Sequence, residues 1–351
     1  MKLGIGLYRH MLNRDYYDFA RQCGCTHVVV HLVDYFHQGN QENKNNQPIG
    51  DAFGWGIAGN SDKLWELGQL IKLKKEINEA GLILEAIENF DPSHWYDVLL
   101  DGPKKHEQIE FLKQVIQNVG KAGIPVIGYN FSMAGVCSRI TGKFARGTAV
   151  SVGMDGVDES PVPNGMVWNM IYDRNAPAGY LPNISSEQLW ERLSFFLNKL
   201  LPVAEKAGVK LAAHPDDPPM PIVRGTPRLV YEPQLYQKLL NIKHSDSNTL
   251  EFCLGSIAEM NTGNVYEATE EYADHIAYIH FRNVRGKVPH YKEVFIDEGD
   301  IDMVRILRIL KEKNFNGVLI PDHTPQMTCD APWHAGMAFT LGYMKSALSL
   351  I

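Results

Sequence analysis

His214, Cys253, His280 and Asp322 are the residues of this 351-residue chain best suited to chemistry. Each closes or directly follows an apolar run: Val209–Ala213, Asn248–Cys253, Ile276–Phe281 and Gly317–Ile320. Apolar runs of this length read as buried strands. Taken singly, a strand-end histidine is most often a hydrogen-bond partner, and a lone cysteine is most often core. Two imidazoles, a thiolate and a carboxylate at four successive strand ends point instead to one divalent ion. The thiolate suits zinc or another late metal, whereas a mixed carboxylate–imidazole site with open positions also suits Mn²⁺ or Fe²⁺.

Neighbouring residues extend the set. His323 follows Asp322 and can carry a proton near neutral pH, or orient the carboxylate beside it. Arg282 and Asn283 follow His280, where a guanidinium and an amide can hold a carboxylate or hydroxyls. Tyr129 and Asn130 end an earlier strand and are candidates for hydroxyl recognition, as are Glu85 and Glu88. The rigid loop Pro215-Asp216-Asp217-Pro218-Pro219 offers Asp216 and Asp217 as outer-shell groups or as loop-formers.

Positioning four strand ends around one point requires a particular architecture. Strands are expected at Leu3–Leu7, Val28–Leu32, Leu82–Ile87 and Pro125–Tyr129, before the four already named. Helical patterns follow them, among them Ser61–Ala80, Lys104–Ala122, Ser185–Ala207, Ile301–Lys313 and a closing helix from about Gly336. Ser61 reads as a helix cap, and Ser185 with Gln188 as a capping box. Eight strand–helix units demand parallel neighbours and fit a closed α/β (β/α)₈ TIM barrel forming a single domain over residues 1–351. The first strand–helix turn lacks the glycine pattern of a dinucleotide site. Gln38–Gly50 is a polar loop. Residues 131–184 break the rhythm with Gly, Pro and Ser, and read as a long lid-like insertion after strand four.

Composition narrows the function classes. A net charge of −7 gives no support for nucleic-acid or anionic-membrane binding, and no apolar run spans a bilayer. Five scattered cysteines behind an N-terminus without a leader pattern suggest reduced thiols in a cytoplasm. Cys23-x-Cys25 is too tight for a zinc knuckle and reads as thiols packed at a helix end.

Six of these stretches together resemble the mannonate dehydratase family: Tyr129-Asn130-Phe131, His214 to Pro219, Cys253-Leu254-Gly255-Ser256, His280 to Val284, Asp300 to Met303 and Pro321-Asp322-His323. The resemblance implies a xylose-isomerase-like barrel, usually with Mn²⁺, that dehydrates D-mannonate to 2-keto-3-deoxy-D-gluconate. It implies His214, Cys253, His280 and Asp322 as metal ligands and His323 as a proton-transfer residue. The partner expected is a small sugar acid, with a homo-oligomer compatible. Departures accompany the resemblance. Ser132 to Val136 stand where the family has Asp-Trp-Thr-Arg-Thr, and Ile320 replaces an arginine. Ala335-Gly336-Met337 replaces Pro-Gly-Tyr, and Asp297-Glu298-Gly299 lacks a histidine. Methionine cannot exchange a proton, so His334 or Tyr180 is a candidate replacement for the tyrosine. A sugar isomerase or epimerase on the same barrel, or a non-catalytic sugar-acid binder, are the competing readings.

Overall fold

The computed structural model describes residues 1–36, 47–48, 54–59 and 61–351. Gln38–Gly50 therefore lies, apart from Gln47 and Pro48, outside the described residues. Eight parallel strands close a barrel: β1 (Lys2–Leu7), β2 (His27–Val30), β3 (Ile83–Glu88), β4 (Val126–Tyr129), β5 (Lys210–Ala213), β6 (Asn248–Cys253), β7 (Ile276–His280) and β8 (Val318–Ile320). Their order around the barrel is β1-β8-β7-β6-β5-β4-β3-β2. Strand parity sorts the side chains. Val28 and Val30 of β2 pack outward among the helices, while Val29 joins Ala86, Val126, Ala212, Tyr278 and Ile320 in the barrel interior. On β6, Leu250 and Phe252 likewise turn outward, which sends Glu251 and Cys253 inward.

Helix Ser186–Ala207 begins on the expected capping box and stops at Gly208, whose φ of 68° suits a residue without Cβ. Two boundaries differ from expectation. Ser61 does not cap a helix, because its hydroxyl donates to Asp91 Oδ2 at 2.7 Å. Asp62–Trp65 forms one 3₁₀ turn, and the α-helix runs only over Leu67–Glu79. The closing helix starts earlier than Gly336, at Pro332, where proline's missing N–H costs nothing.

Residues 131–184 hold more order than their composition suggests. Ile140–Ala145 and Ala149–Asp155 pair antiparallel and extend a hairpin, Asn283–Lys287 with His290–Val294, into a four-stranded sheet outside the barrel. Two excursions, after β4 and after β7, thus brace one another beside the barrel mouth. Arg228, fully buried, ties the loops after β4 and β5 together. It donates to Ser132 Oγ at 2.5 Å, Gly135 O at 2.8 Å and Asp216 Oδ1 at 3.1 Å. Arg228→Met leaves those acceptors buried without the cation. Urea unfolding is expected to show a loss of about 3 kcal/mol, the lower end for a broken buried pair, because backbone amides still serve Asp216.

Candidate metal centre and active site

Register brings the cysteine and a histidine together: Cys253 of β6 lies beside His280 of β7, and His280 lies beside Ile320 of β8. His214 follows β5, its backbone N–H bonded to Tyr129 O at 2.8 Å. One ring nitrogen of each histidine and Sγ of Cys253 lie within 4.8 Å of one another. Nδ1 of His214 is 2.6 Å from Pro215 O, so Nδ1–H donates there and Nε2 is left for the cluster. Asp322 stands just outside this trio, with Oδ2 3.4 Å from Nδ1 of His280. Its φ of 63° is left-handed backbone, held by a non-glycine residue at a cost of roughly 1–3 kcal/mol.

The trio fits a cation. Nδ1 of His280 is buried and makes no hydrogen bond. Burial opposes ionisation of Cys253, but the Arg282 guanidinium and the neighbouring His214 imidazole outweigh it and hold the thiol well below its ordinary value. A ready thiolate flanked by two imidazoles is a donor set for a borderline-soft divalent ion. His214, Cys253 and His280 are thus a group able to hold a metal, with Asp322 adjacent.

Beneath His280 lies a second layer. Its Nε2 is 3.2 Å from Oε2 of Glu88 and 3.2 Å from Oε1 of Glu251. Burial raises the affinity of Glu251 for its proton, and the Glu88 carboxylate raises it further. Room for Glu251 comes from Gly128 on β4, where a Cβ would sit 2.2 Å from Oε2. Glu88 and Glu251 fix the imidazole so that Nδ1 turns toward Cys253 and Asp322. Glu251→Gln and Glu88→Gln are expected to weaken divalent-metal binding by about 10–100-fold each, read by calorimetry.

His323 is clamped between two carboxylates, with Nε2 2.9 Å from Asp322 Oδ2 and Nδ1 2.8 Å from Glu293 Oε2. Burial works against its charge, yet Asp322 and Glu293 raise its pKa to about 9. His31 borders the same cavity, and there burial prevails over Glu88, lowering its pKa and leaving it neutral. Asn130 also lines the cavity; its Nδ2 donates to Pro215 O at 2.9 Å.

Four other expectations require correction. Tyr129 does not face the site: strand parity turns it outward against Phe196, at a ring distance of 5.2 Å. Asn283 is consumed by the loop, its Nδ2 donating to Ile296 O and Ile301 O at 2.9 Å each. His334 packs between Phe19 and Trp333, away from the cavity. Arg282 is buried behind the cluster rather than in the cavity wall. It donates to Glu259 at 2.7 Å and Ser256 Oγ at 3.1 Å and lies 3.4 Å from Asp322 Oδ2, so it positions rather than touches substrate. Two departures are equally clear: Met337 is buried in the outer core and Ile320 in the barrel interior.

Arg139, like His31 and Glu293, is a residue that sequence reasoning passed over. It precedes the strand Ile140–Ala145, borders the cavity, and pairs with Asp217 and Gln47. Glu293 arrives on the hairpin after β7 and lies 3.9 Å from Arg139. No periodicity marks either residue. Glu251 did carry a signal, standing two residues before Cys253 and hence on the same face of β6.

A family model described as D-mannonate dehydratase (UxuA) matches residues 56–155 and 162–348. The chain belongs to the mannonate dehydratase family. It is 35% identical over 278 residues to mannonate dehydratase of Streptococcus pneumoniae, covering 74% of each chain. The crystal structure of mannonate dehydratase from Streptococcus suis serotype 2 superposes with a TM-score of 0.78 at 27% identity, over 100% of this chain and 93% of that one. D-psicose 3-epimerase of Clostridium cellulolyticum H10 shares the fold, with a TM-score of 0.58 at 12% identity over 100% and 98% of the two chains. No helix among the described residues is long and apolar enough to cross a membrane.

Proposed function

We propose that this chain is a metal-dependent hydro-lyase that converts D-mannonate to 2-keto-3-deoxy-D-gluconate. The observation that carries the reading is the meeting of His214, Cys253 and His280 within 4.8 Å, beside Asp322 and His323, in a member of this family. Mn²⁺ is the ion favoured, with Fe²⁺ or Zn²⁺ as alternatives, held by those three residues and Asp322. When bound, it supplies positive charge for the substrate carboxylate and α-hydroxyl, easing departure of the C2 proton.

The chain's own groups divide the proton work. His31, kept neutral, accepts the C2 proton; the freed electron pair forms the C2–C3 double bond as the C3–oxygen bond breaks. His323, kept charged, gives its proton to the leaving hydroxyl, and one water departs. The enol then tautomerises to the 2-keto acid. Arg139 and Asn130 orient the polyol from the cavity wall, and the ordered part of 131–184 screens it from water. The missing tyrosine is not replaced by His334, whose ring lies elsewhere; His31 and His323 make it unnecessary.

Mn²⁺-reconstituted protein with D-mannonate tests this. The expected product is a 2-keto-3-deoxy acid formed in equal amount to the mannonate consumed. Turnover of a ketose without loss of water, or no product from any aldonate, overturns it.

A further inference from the structure

The cavity at the cluster is small, about 60 Å³, far below the roughly 300–1,000 Å³ of ordinary small-molecule sites. A second cavity of about 560 Å³ borders it, and the two meet at Trp55, Val136 and Arg139. From these geometries we infer that the chain has a second sugar-binding subsite, and that its preferred substrate is a sugar acid bearing a glycosyl group on a hydroxyl beyond C3. The inference rests on the dehydratase reading above and names the substrate class for it.

Three observations converge. First, part of the outer wall lies outside the family match: the match stops at Asp155 and resumes at Val162, and Gly156, Val157, Asp158, Ser160 and Pro161 between them line the larger cavity. Second, that wall is built rather than loose. Arg224, 8% exposed on the loop after β5, donates through Nε to Ser160 O at 3.1 Å and lies 3.6 Å from Asp158 Oδ2. Its backbone N–H donates to Asp158 O at 3.3 Å, and the Asp158 N–H reaches Ser138 Oγ at 3.2 Å. Third, the lining suits a neutral polyol. Arg224 is paired with Asp158 and Arg139 with Asp217, so neither lining cation is left free to recruit a phosphate. Trp55 and the exposed Tyr180 supply aromatic surface for the apolar face of a sugar ring, while the Ser138 hydroxyl offers a hydrogen-bonding group.

With the reacting C1–C3 end of the acid at the metal cluster, the far end of its chain passes Arg139 and Trp55 and carries the glycosyl group into the outer cavity. No new bond chemistry is required: the C2 proton and C3 hydroxyl leave as before, and the glycosidic bond stays intact.

The test compares D-mannonate with 4-O-, 5-O- and 6-O-glycosyl mannonates on the Mn²⁺-loaded protein, by calorimetry and by keto-acid formation. At least one glycosylated acid is expected to bind tenfold or more tightly than mannonate and to show a higher kcat/KM. Tyr180→Ala and Arg224→Met are expected to reduce that preference fivefold or more; circular dichroism confirms that each variant is folded. Turnover of mannonate with no gain for any glycosylated acid overturns the subsite and leaves the dehydratase reading standing. Tighter binding of a glycosylated acid with no turnover of any acid does the reverse. Neither tighter binding nor turnover overturns both.

Discussion

Cys253→Ser is expected to cost the protein its metal and its activity while leaving the barrel intact. Serine matches cysteine in shape, and the site at the end of β6 is fully buried, so little repacking follows. The donor changes completely. Serine's hydroxyl stays protonated where the Cys253 thiol, set against Arg282 and two imidazoles, is held ready to ionise. A ligand bound directly to the ion should matter more than the roughly 10–100-fold typical of an outer-shell change. Dialysis against Mn²⁺ followed by elemental analysis should find at least a hundredfold weaker binding, and keto-acid formation should fall below detection. Unfolding by urea separates this from collapse of the fold, since the metal-free midpoints of the variant and its parent should agree closely.

The second large effect is expected at His323. Asparagine there keeps a polar group between Asp322 and Glu293 but cannot carry the proton. His323→Asn should retain Mn²⁺ within a few-fold and lower kcat by about 10²–10⁴, the usual worth of a positioned acid. A comparable loss of metal would instead assign His323 to holding Asp322. The same substitution leaves Glu293 facing Arg139 and Arg282, whose charges keep that carboxylate ionised.

Much of the centre could be read from the chain because parallel strands end in register. Once eight strand–helix units are recognised, Cys253 and His280 must be neighbours, and residues just past β5 and β8 must approach them. Parity was the finer signal. It separates outward Tyr129 from inward Gly128, and it marks Glu251 as a companion of Cys253. Other roles were hidden because they depend on irregular chain. Arg139 and Glu293 come from two excursions that make sense only when paired as one sheet, and antiparallel pairing between segments over a hundred residues apart has no local pattern. Arg282 and Asn283 look alike on the sequence, since both follow a strand-end histidine. Three-dimensional context alone shows Arg282 to be enclosed by Glu259, Glu293 and Asp217 and Asn283 to be closing a turn. Met337 and Ile320 show the converse. Both lie in the core, Met337 among the helices and Ile320 inside the barrel, so under the proposed mechanism the proton work falls to groups nearer the cluster.

The most direct measurement is a crystal structure of the Mn²⁺-loaded protein with anomalous scattering recorded at the manganese edge. A single strong peak is expected at bonding distance, roughly 2.0–2.5 Å, from Cys253 Sγ, His214 Nε2 and His280 Nδ1, with Asp322 swung in to join them. A peak seated between Glu88 and Glu251 on the Nε2 side of His280, or one that leaves Cys253 uncoordinated, would contradict the account.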